Sequence, residues 1–417
     1  MSDQAPDPIR DPEAAPPLAI VLAGGRGARL HELTDRSPKA ALPFVRRRRI
    51  VDFTMENIAR SGLPRALVIT QYLSDQLKTY LQRAWSGRMG GAAGLILANG
   101  TTGTGASEGY DGTADALWQN AAQIDASGAR DVLILSADHV YEMDYRPLIA
   151  AHRASGASMT LAVTAADHQH VAQGLAVVEA RRDGVITRLA TAPDLPAALP
   201  DTTKPALASI GVFICDWAWL RAQLAKDAQA PDSRHDFDHD IVPIAVRDGV
   251  ASTFLWQTER GRAVFWRAIS TLDTLREAAL LFETGDAPCA LPSPDLGSVE
   301  PSLSRFGMST TVGGLRLFAP LRSRDGRADW GVVEASVLME GARLSPGCRL
   351  TRALIAPGVT LPEGLVVGED PAEDRRWFRV TPTGTTLVTT QMLSRRAALM
   401  PRRFGGIMRG LFGQTMR

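Results

Sequence analysis

Residues 18–30 read LAIVLAGGRGARL, and Lys39 follows within SPKAALPF. Leu22 and Ala23 lead into a turn whose Gly24, Gly25 and Gly27 carry no Cβ, so its backbone amides can close on phosphate oxygens. Arg26, Arg29 and Lys39 add cations suited to a polyphosphate or a departing pyrophosphate. No Gly-Lys-Ser/Thr follows, which excludes a Walker loop, and the glycine spacing does not fit the dinucleotide fingerprint. These residue types in this order predict a nucleoside-triphosphate site.

Such a turn needs strands to hold it. Leu18–Leu22 is a short apolar run that suits a buried parallel strand. Similar runs recur at 66–70, 94–98, 131–137 and 158–164, alternating with amphipathic stretches. The alternation predicts an α/β layered, Rossmann-like domain over 18–285 with a mainly parallel sheet. Ligands bind such sheets at the carboxyl ends of the strands, where Gly24, Gln71, Asn99 and Asp138 fall. A carboxylate at that height facing the phosphate turn suits a Mg²⁺ ligand, which makes Asp138 the candidate.

Residues 286–330 hold Pro, Gly and Ser without a period and read as a connector. Beyond it, over 331–390, aliphatics recur every six residues: Val332, Leu338, Leu344 and Leu350, then Ile355, Leu361 and Val367 after a slip of one. Gly341, Gly347, Gly358 and Gly364 repeat at the corners. Hexapeptide periodicity predicts a β-helix with each aliphatic stacked inside. About two coils are evident, too few to stand alone, so the stack should pack on other protein.

The glycine turn and the segments C-terminal to it resemble sugar-1-phosphate nucleotidylyltransferases, and among them the bacterial ADP-glucose pyrophosphorylase family. The likeness is carried by RIVDFTMENIARSG (49–62), VITQYLSDQLKTYLQRAWS (68–86), YDGTADALWQN (110–120), LSADHVYEMDY (135–145), ALASIGVFI (206–214) and SRHDFDHDIVPIA (233–245), and spans roughly 18–390. It implies a left-handed β-helix, a homotetramer or a heterotetramer with a paralogue, and adenylyl transfer from ATP to glucose 1-phosphate in glycogen synthesis. It implies catalytic roles for Arg29, Lys39 and Asp138, with Mg²⁺ on Asp138. Nucleotide contacts would come from Leu22, Ala23, Gly24, Gly25, Arg26, Gln71, Gly112, Thr113 and Asp115. Sugar-phosphate contacts would come from Tyr110, Gly174 and Ser209, and effector contacts from Lys39 and Arg49.

The chain also departs from that pattern. Thr191-Ala192-Pro193 stands where the family has Glu-Lys-Pro, and Ala268 follows Trp266-Arg267 where the family has a metal-binding Asp. Losing the lysine should cost roughly 1.5–3 kcal/mol of phosphate affinity, and losing the carboxylate on the order of 10²–10⁴ in rate. Ala137, Asp111 and Ala28 replace a family glycine, arginine and threonine, and Pro357, Thr390 and Ser394 replace effector-site arginines. An impaired paralogue acting as a regulatory subunit is therefore the alternative to an enzyme.

Composition bounds the partners. Among 417 residues the net charge is +1, which gives no bulk electrostatic attraction for nucleic acid. Four lysines stand against 42 arginines, so Lys39 persists against the drift of the composition. Cys215, Cys289 and Cys348 lie far apart with no CxxC, which suits a reducing cytoplasm. Residues 1–17 are polar and proline-rich, expected to be disordered and unlike a signal peptide, and no apolar run reaches membrane-spanning length. Residues 391–417 form a basic tail, in which 394–417 holds six arginines and no acid; His168 and His170 read as a solvated loop.

Overall fold

The computed structural model describes residues 15–100, 109–166, 176–190, 206–257, 264–295, 309–312, 315–322 and 328–399. Gly174, Ala192, the two loop histidines and the end of the basic tail lie outside these residues. The chain divides into two compact units, residues 1–300 and 301–417.

The first unit is built on a nine-stranded sheet. Its strands are β1 (Leu18–Ala23), β2 (Ala66–Thr70), β3 (Leu95–Asn99), β4 (Asp131–Ser136), β6 (Met159–Ala166), β7 (Val177–Ala180), β8 (Ile186–Ala190), β9 (Ala206–Asp216) and β10 (Ala251–Leu255). The main path runs β10-β6-β9-β4-β1-β2-β3. Pairings β4·β1, β1·β2, β2·β3 and β10·β6 are parallel, and β9 runs antiparallel between β4 and β6. The apolar runs read from the sequence are these strands. Leu18–Val21 are fully buried because helices cover both faces, leaving neither side chain of a pleat exposed. One core gathers Val21, Met55, Leu81 and Trp85 on one face, and the other gathers Ile20, Ile69, Leu117 and Phe213 on the opposite face.

Helix Val51–Arg60 and helix Ser74–Trp85 are tied by one buried carboxylate. Asp52 accepts from Arg49 N at 2.7 Å, the Tyr80 hydroxyl at 2.6 Å and Trp85 Nε1 at 2.7 Å. The Arg49 guanidinium lies 4.7 Å from the centre of the Tyr80 ring. This knot anchors the chain just after the Lys39–Ala41 turn and so fixes one wall of the site.

A two-stranded ribbon lies beside the sheet. β5 (His139–Tyr141) pairs antiparallel with β11 (Trp266–Ala268), with Ala268 opposite His139. Residues 286–295 return over the rest of the first unit: Asp295 N donates to Ala84 O and Arg48 Nε to Pro292 O.

Further along the expected connector, three described stretches form strands. Strands β12 (Ser309–Val312), β13 (Leu315–Arg322) and β14 (Ala328–Glu334) form an antiparallel meander. The sequence hid them because Gly and Pro punctuate runs that alternate at period two rather than six. β14 then enters a parallel ladder with β16 (Arg349–Thr351) and β18 (Val366–Val367). β15 (Val337–Leu338), β17 (Ala353–Ile355) and β20 (Thr386–Val388) make a second parallel face, and an Arg343–Thr360 bridge marks a third. Partners stand 17 residues apart, which is the one-residue slip seen in the sequence. In the first coil the inward residue is Val333, stacked under Leu350 and Val367, while the expected Val332 pairs with Arg349. A shift of one residue exchanges the faces of a strand, and here the register selects Val333. Leu338 is in register with Ile355 but half-buried, its neighbour Val337 taking the interior. Helix Pro371–Trp377, β19 (Arg379–Val380) and helix Thr390–Leu399 complete the unit. No described helix is long and apolar enough to cross a membrane.

The Asp52 knot yields a pH prediction. Burial lifts its carboxyl from 3.8 to about 6 despite the hydrogen bonds from Arg49, Tyr80 and Trp85. The folded chain therefore holds this proton more tightly than the unfolded chain. Its contribution to stability is full below pH 3.8 and is lost as pH rises through 6. Urea unfolding of wild type and Asp52→Asn should show the wild type losing roughly 3 kcal/mol relative to the variant between about pH 4 and 7.

Candidate active site

The carboxyl ends of β1, β2 and β4 open into a cavity of about 860 Å³. One of its walls is the turn Leu22–Arg26. Gly27 sits at φ +71°, and a Cβ there would meet Lys39 Cβ at 2.9 Å, so only glycine lets the turn close on the lysine stem. A Cβ on Gly24 would meet Gln71 Cβ at 3.2 Å, which brings the ends of β1 and β2 equally close. The Arg26 guanidinium lies 5.5 Å from the centre of the Tyr72 ring, at the rim.

Lys39 reaches across the cavity floor to form an ion pair with Asp138 Oδ2. The other oxygen, Oδ1, accepts from the Ser136 hydroxyl and lies 3.3 Å from His139 Nε2. Burial alone would raise the Asp138 carboxyl, but the His139 and Lys39 charges and the hydrogen bonds from Lys39 and Ser136 hold it well below the usual range. Burial lowers His139 against the pull of the Asp138 carboxylate. Asp138 also anchors the neighbouring ribbon, because its carbonyl accepts from Ile269 N at 3.0 Å.

Opposite stands the turn before helix Thr113–Gln119. Gln71 Nε2 donates to Tyr110 O at 3.1 Å, and Asn120 Nδ2 donates to the Tyr110 hydroxyl at 2.9 Å. The Thr113 hydroxyl donates to Asp236 Oδ2 at 3.1 Å and accepts from Phe237 N at 2.7 Å. These bonds fasten the Tyr110–Thr113 turn to the loop before the π-helical turn Phe237–Ile241, so Asp236 and Phe237 order this wall.

Leu22, Ala23, Gly24, Gly25, Arg26, Lys39, Gln71, Tyr110, Gly112, Thr113 and Asp138 all line this one cavity. Others stand off it. Arg29 is exposed on the turn Ala28–Leu33, where Leu30 takes the buried side. Asp115 turns back to accept from Asp111 N at 3.0 Å and Gln119 Nε2 at 2.7 Å, so it supports the turn rather than the cavity wall. Ser209 is buried in β9 opposite Val163. Arg49 is spent on Asp52, Tyr80 and the Ala41 carbonyl, away from the cavity that holds Lys39.

Asp238, His139 and Gly211 line the cavity without having been expected there. Gly211 had a signal: a glycine inside a strand run marks a bulge or a close approach. It sits at φ +70° where the β6·β9 register shifts, and a Cβ would meet His139 Cε1 at 2.8 Å. Asp238 carried no periodic signal. Its carboxyl, exposed to the cavity, lies near enough to the Asp236 and Asp138 carboxylates for them to raise it.

The fit of a divalent ion can be tested on these donors. Asp138 already carries protein donors on both oxygens, and the residue facing its neighbour His139 is Ala268, which offers none. Among the described residues no three His, Cys, Asp or Glu side chains come together to hold a metal. Mg²⁺ favours six oxygens, commonly one or two carboxylates with phosphates and water. The side chains present do not fit a resident ion.

Residues 18–285 match the nucleotidyl transferase family model, and residues 321–388 match that of the GlmU-like C-terminal hexapeptide. The chain belongs to the nucleotidyl transferase family. The second unit is accordingly a hexapeptide-repeat, left-handed β-helix. Relatives of this nucleotidyl transferase include proteins named glucose-1-phosphate adenylyltransferase. That of Jannaschia sp. (strain CCS1) is 33% identical over 91% of this chain and 97% of its own length. That of Cereibacter sphaeroides (strain ATCC 17025) is 34% identical over 92% and 99%. That of Paramagnetospirillum magneticum is 35% identical over 90% and 94%.

Gly112 tests the seam between the two walls of the transferase cavity. A Cβ there would meet His235 O at 2.2 Å, backbone that cannot swing aside. Gly112→Ala should force the 235–237 loop off Thr113, costing about 1–3 kcal/mol of stability. Thermal unfolding of the variant against the wild type should register it.

Proposed function

We propose that this cavity binds ATP and glucose 1-phosphate and transfers the adenylyl group between them. The sugar-phosphate oxygen attacks the α-phosphorus in line. The bond from that phosphorus to the bridging β-phosphate oxygen breaks, and pyrophosphate leaves with the electron pair. No protein nucleophile is required, so catalysis is positioning and charge stabilisation. The Gly24 and Gly25 amides cradle the leaving phosphates, with Arg26 and Lys39 as their cations. Tyr110 to Thr113 form the wall for the nucleoside and the sugar. The observation that carries this reading is the convergence of the glycine turn, Lys39, Gln71, Tyr110 and Asp138 on one cavity, in a chain similar along its length to proteins named glucose-1-phosphate adenylyltransferase.

Ala268 favours a second reading. It stands in register with His139, beside Asp138, where the resemblance calls for a carboxylate. A chain so altered serves as a regulatory subunit that keeps nucleotide binding and assembles with an intact paralogue into a tetramer.

Pyrophosphate release from ATP and glucose 1-phosphate separates the two. On the first reading the wild type turns over at roughly 10 s⁻¹. On the second it is nearly inert, and Ala268→Asp raises the rate by about 10²-fold or more. In either case Lys39→Ala should weaken ATP binding by about 10–150-fold in calorimetry. A wild type that binds neither ATP nor ADP-glucose would refute both.

A further inference from the structure

Lys39 is held as few surface lysines are. Its stem is packed against Gly27, where even a methyl group would intrude. Its side chain is 13% exposed, and its ammonium is fixed on Asp138 Oδ2. The carboxylate beneath it is steadied in turn by the Ser136 hydroxyl and by the backbone bond from Ile269 to its own carbonyl. The cavity thus contains, at the point where the donors do not fit a divalent ion, an ammonium that already neutralises the Asp138 carboxylate.

We infer that Lys39, clamped on Asp138, stands in the place of that ion on the carboxylate, so that the cavity binds a nucleoside diphosphate sugar without a divalent cation. The inference rests on the proposed nucleotide reading of this cavity. Two phosphates match the cations available, Arg26 and Lys39, together with the Gly24 and Gly25 amides. The opposite wall presents Asp111 and Asp238, both exposed within the cavity. Carboxylates there accept from sugar and ribose hydroxyls. A metal site would also require an incoming ion to displace an ammonium already paired with its ligand. Ala268, in register with His139, offers no carboxylate from the ribbon to offset this cost.

Calorimetry of the full chain with ADP-glucose, in EDTA and in excess Mg²⁺, gives the first test. The dissociation constants should agree within about twofold, and Lys39→Met should weaken binding in EDTA at least about tenfold. A tenfold or greater loss in EDTA for the wild type, or unimpaired binding by Lys39→Met, would overturn the inference while leaving the nucleotide reading intact. Absence of binding in both buffers would instead refute the nucleotide reading.

Mn²⁺ titration followed by electron paramagnetic resonance tests the same point without turnover. The wild type should take up no Mn²⁺ beyond what the free nucleotide binds, and Ala268→Asp should gain a site. Mn²⁺ held by the wild type and released by Asp138→Asn would overturn the proposal.

Discussion

The site depends on the phase of three parallel strands. Ala23 stands opposite Thr70, and Leu22 stands opposite Ser136, so β1, β2 and β4 end at one height. The next residues, Gly24, Gln71 and the Ala137-Asp138 pair, therefore leave the sheet together. A one-residue slip in either ladder would turn a neighbouring strand's side chains to the wrong face and carry its terminal residue out of reach. Lys39 can meet Asp138 only because this phase holds and because the turn between them closes at Gly27.

A second layer of constraint lies behind the walls. Asp52, Tyr80 and Trp85 belong to two of the motifs that carried the family resemblance, and they meet in one buried hydrogen-bonded knot. Their part is architectural: they brace the chain that carries Lys39. The loop that carries Asp236 and Phe237 braces the opposite turn through Thr113 in the same manner. Both walls are thus held by polar bonds, so small changes in these supports are transmitted to the cavity.

The strand-ending residues were legible because each combines a local signal, an apolar run, with a chemical type at its end. Gly24, Gln71 and Asp138 follow this rule and meet in the cavity. Arg29 stands off the cavity because charge and proximity in sequence do not fix direction; Leu30 claims the interior and its neighbour is exposed. Asp238 and His139 were silent as cavity residues because their place depends on contacts distant in sequence, across Gly211 and from the 236–238 loop. In the second unit the period was legible, but its phase in the first coil was not. A parallel ladder fixes the phase, and the slip to 17 residues leaves the sequence pattern ambiguous by one. The meander of β12 to β14 lay hidden for a related reason, since its short alternating runs look like irregular chain when neither partner is in view.

The 17-residue coil also acts as a screw thread. Ala335 and Arg352, Gly341 and Gly358, and Gly347 and Gly364 form three pairs of left-handed corners, each pair one turn apart. Because corners recur in step with the ladders, the thread has a fixed pitch and a triangular section, while its number of turns is unconstrained by its own geometry. Adding or removing one whole turn would keep every corner over a corner and every inward aliphatic over another. Adding a single residue would put all later corners out of step. The unit can therefore change length in evolution only in complete revolutions.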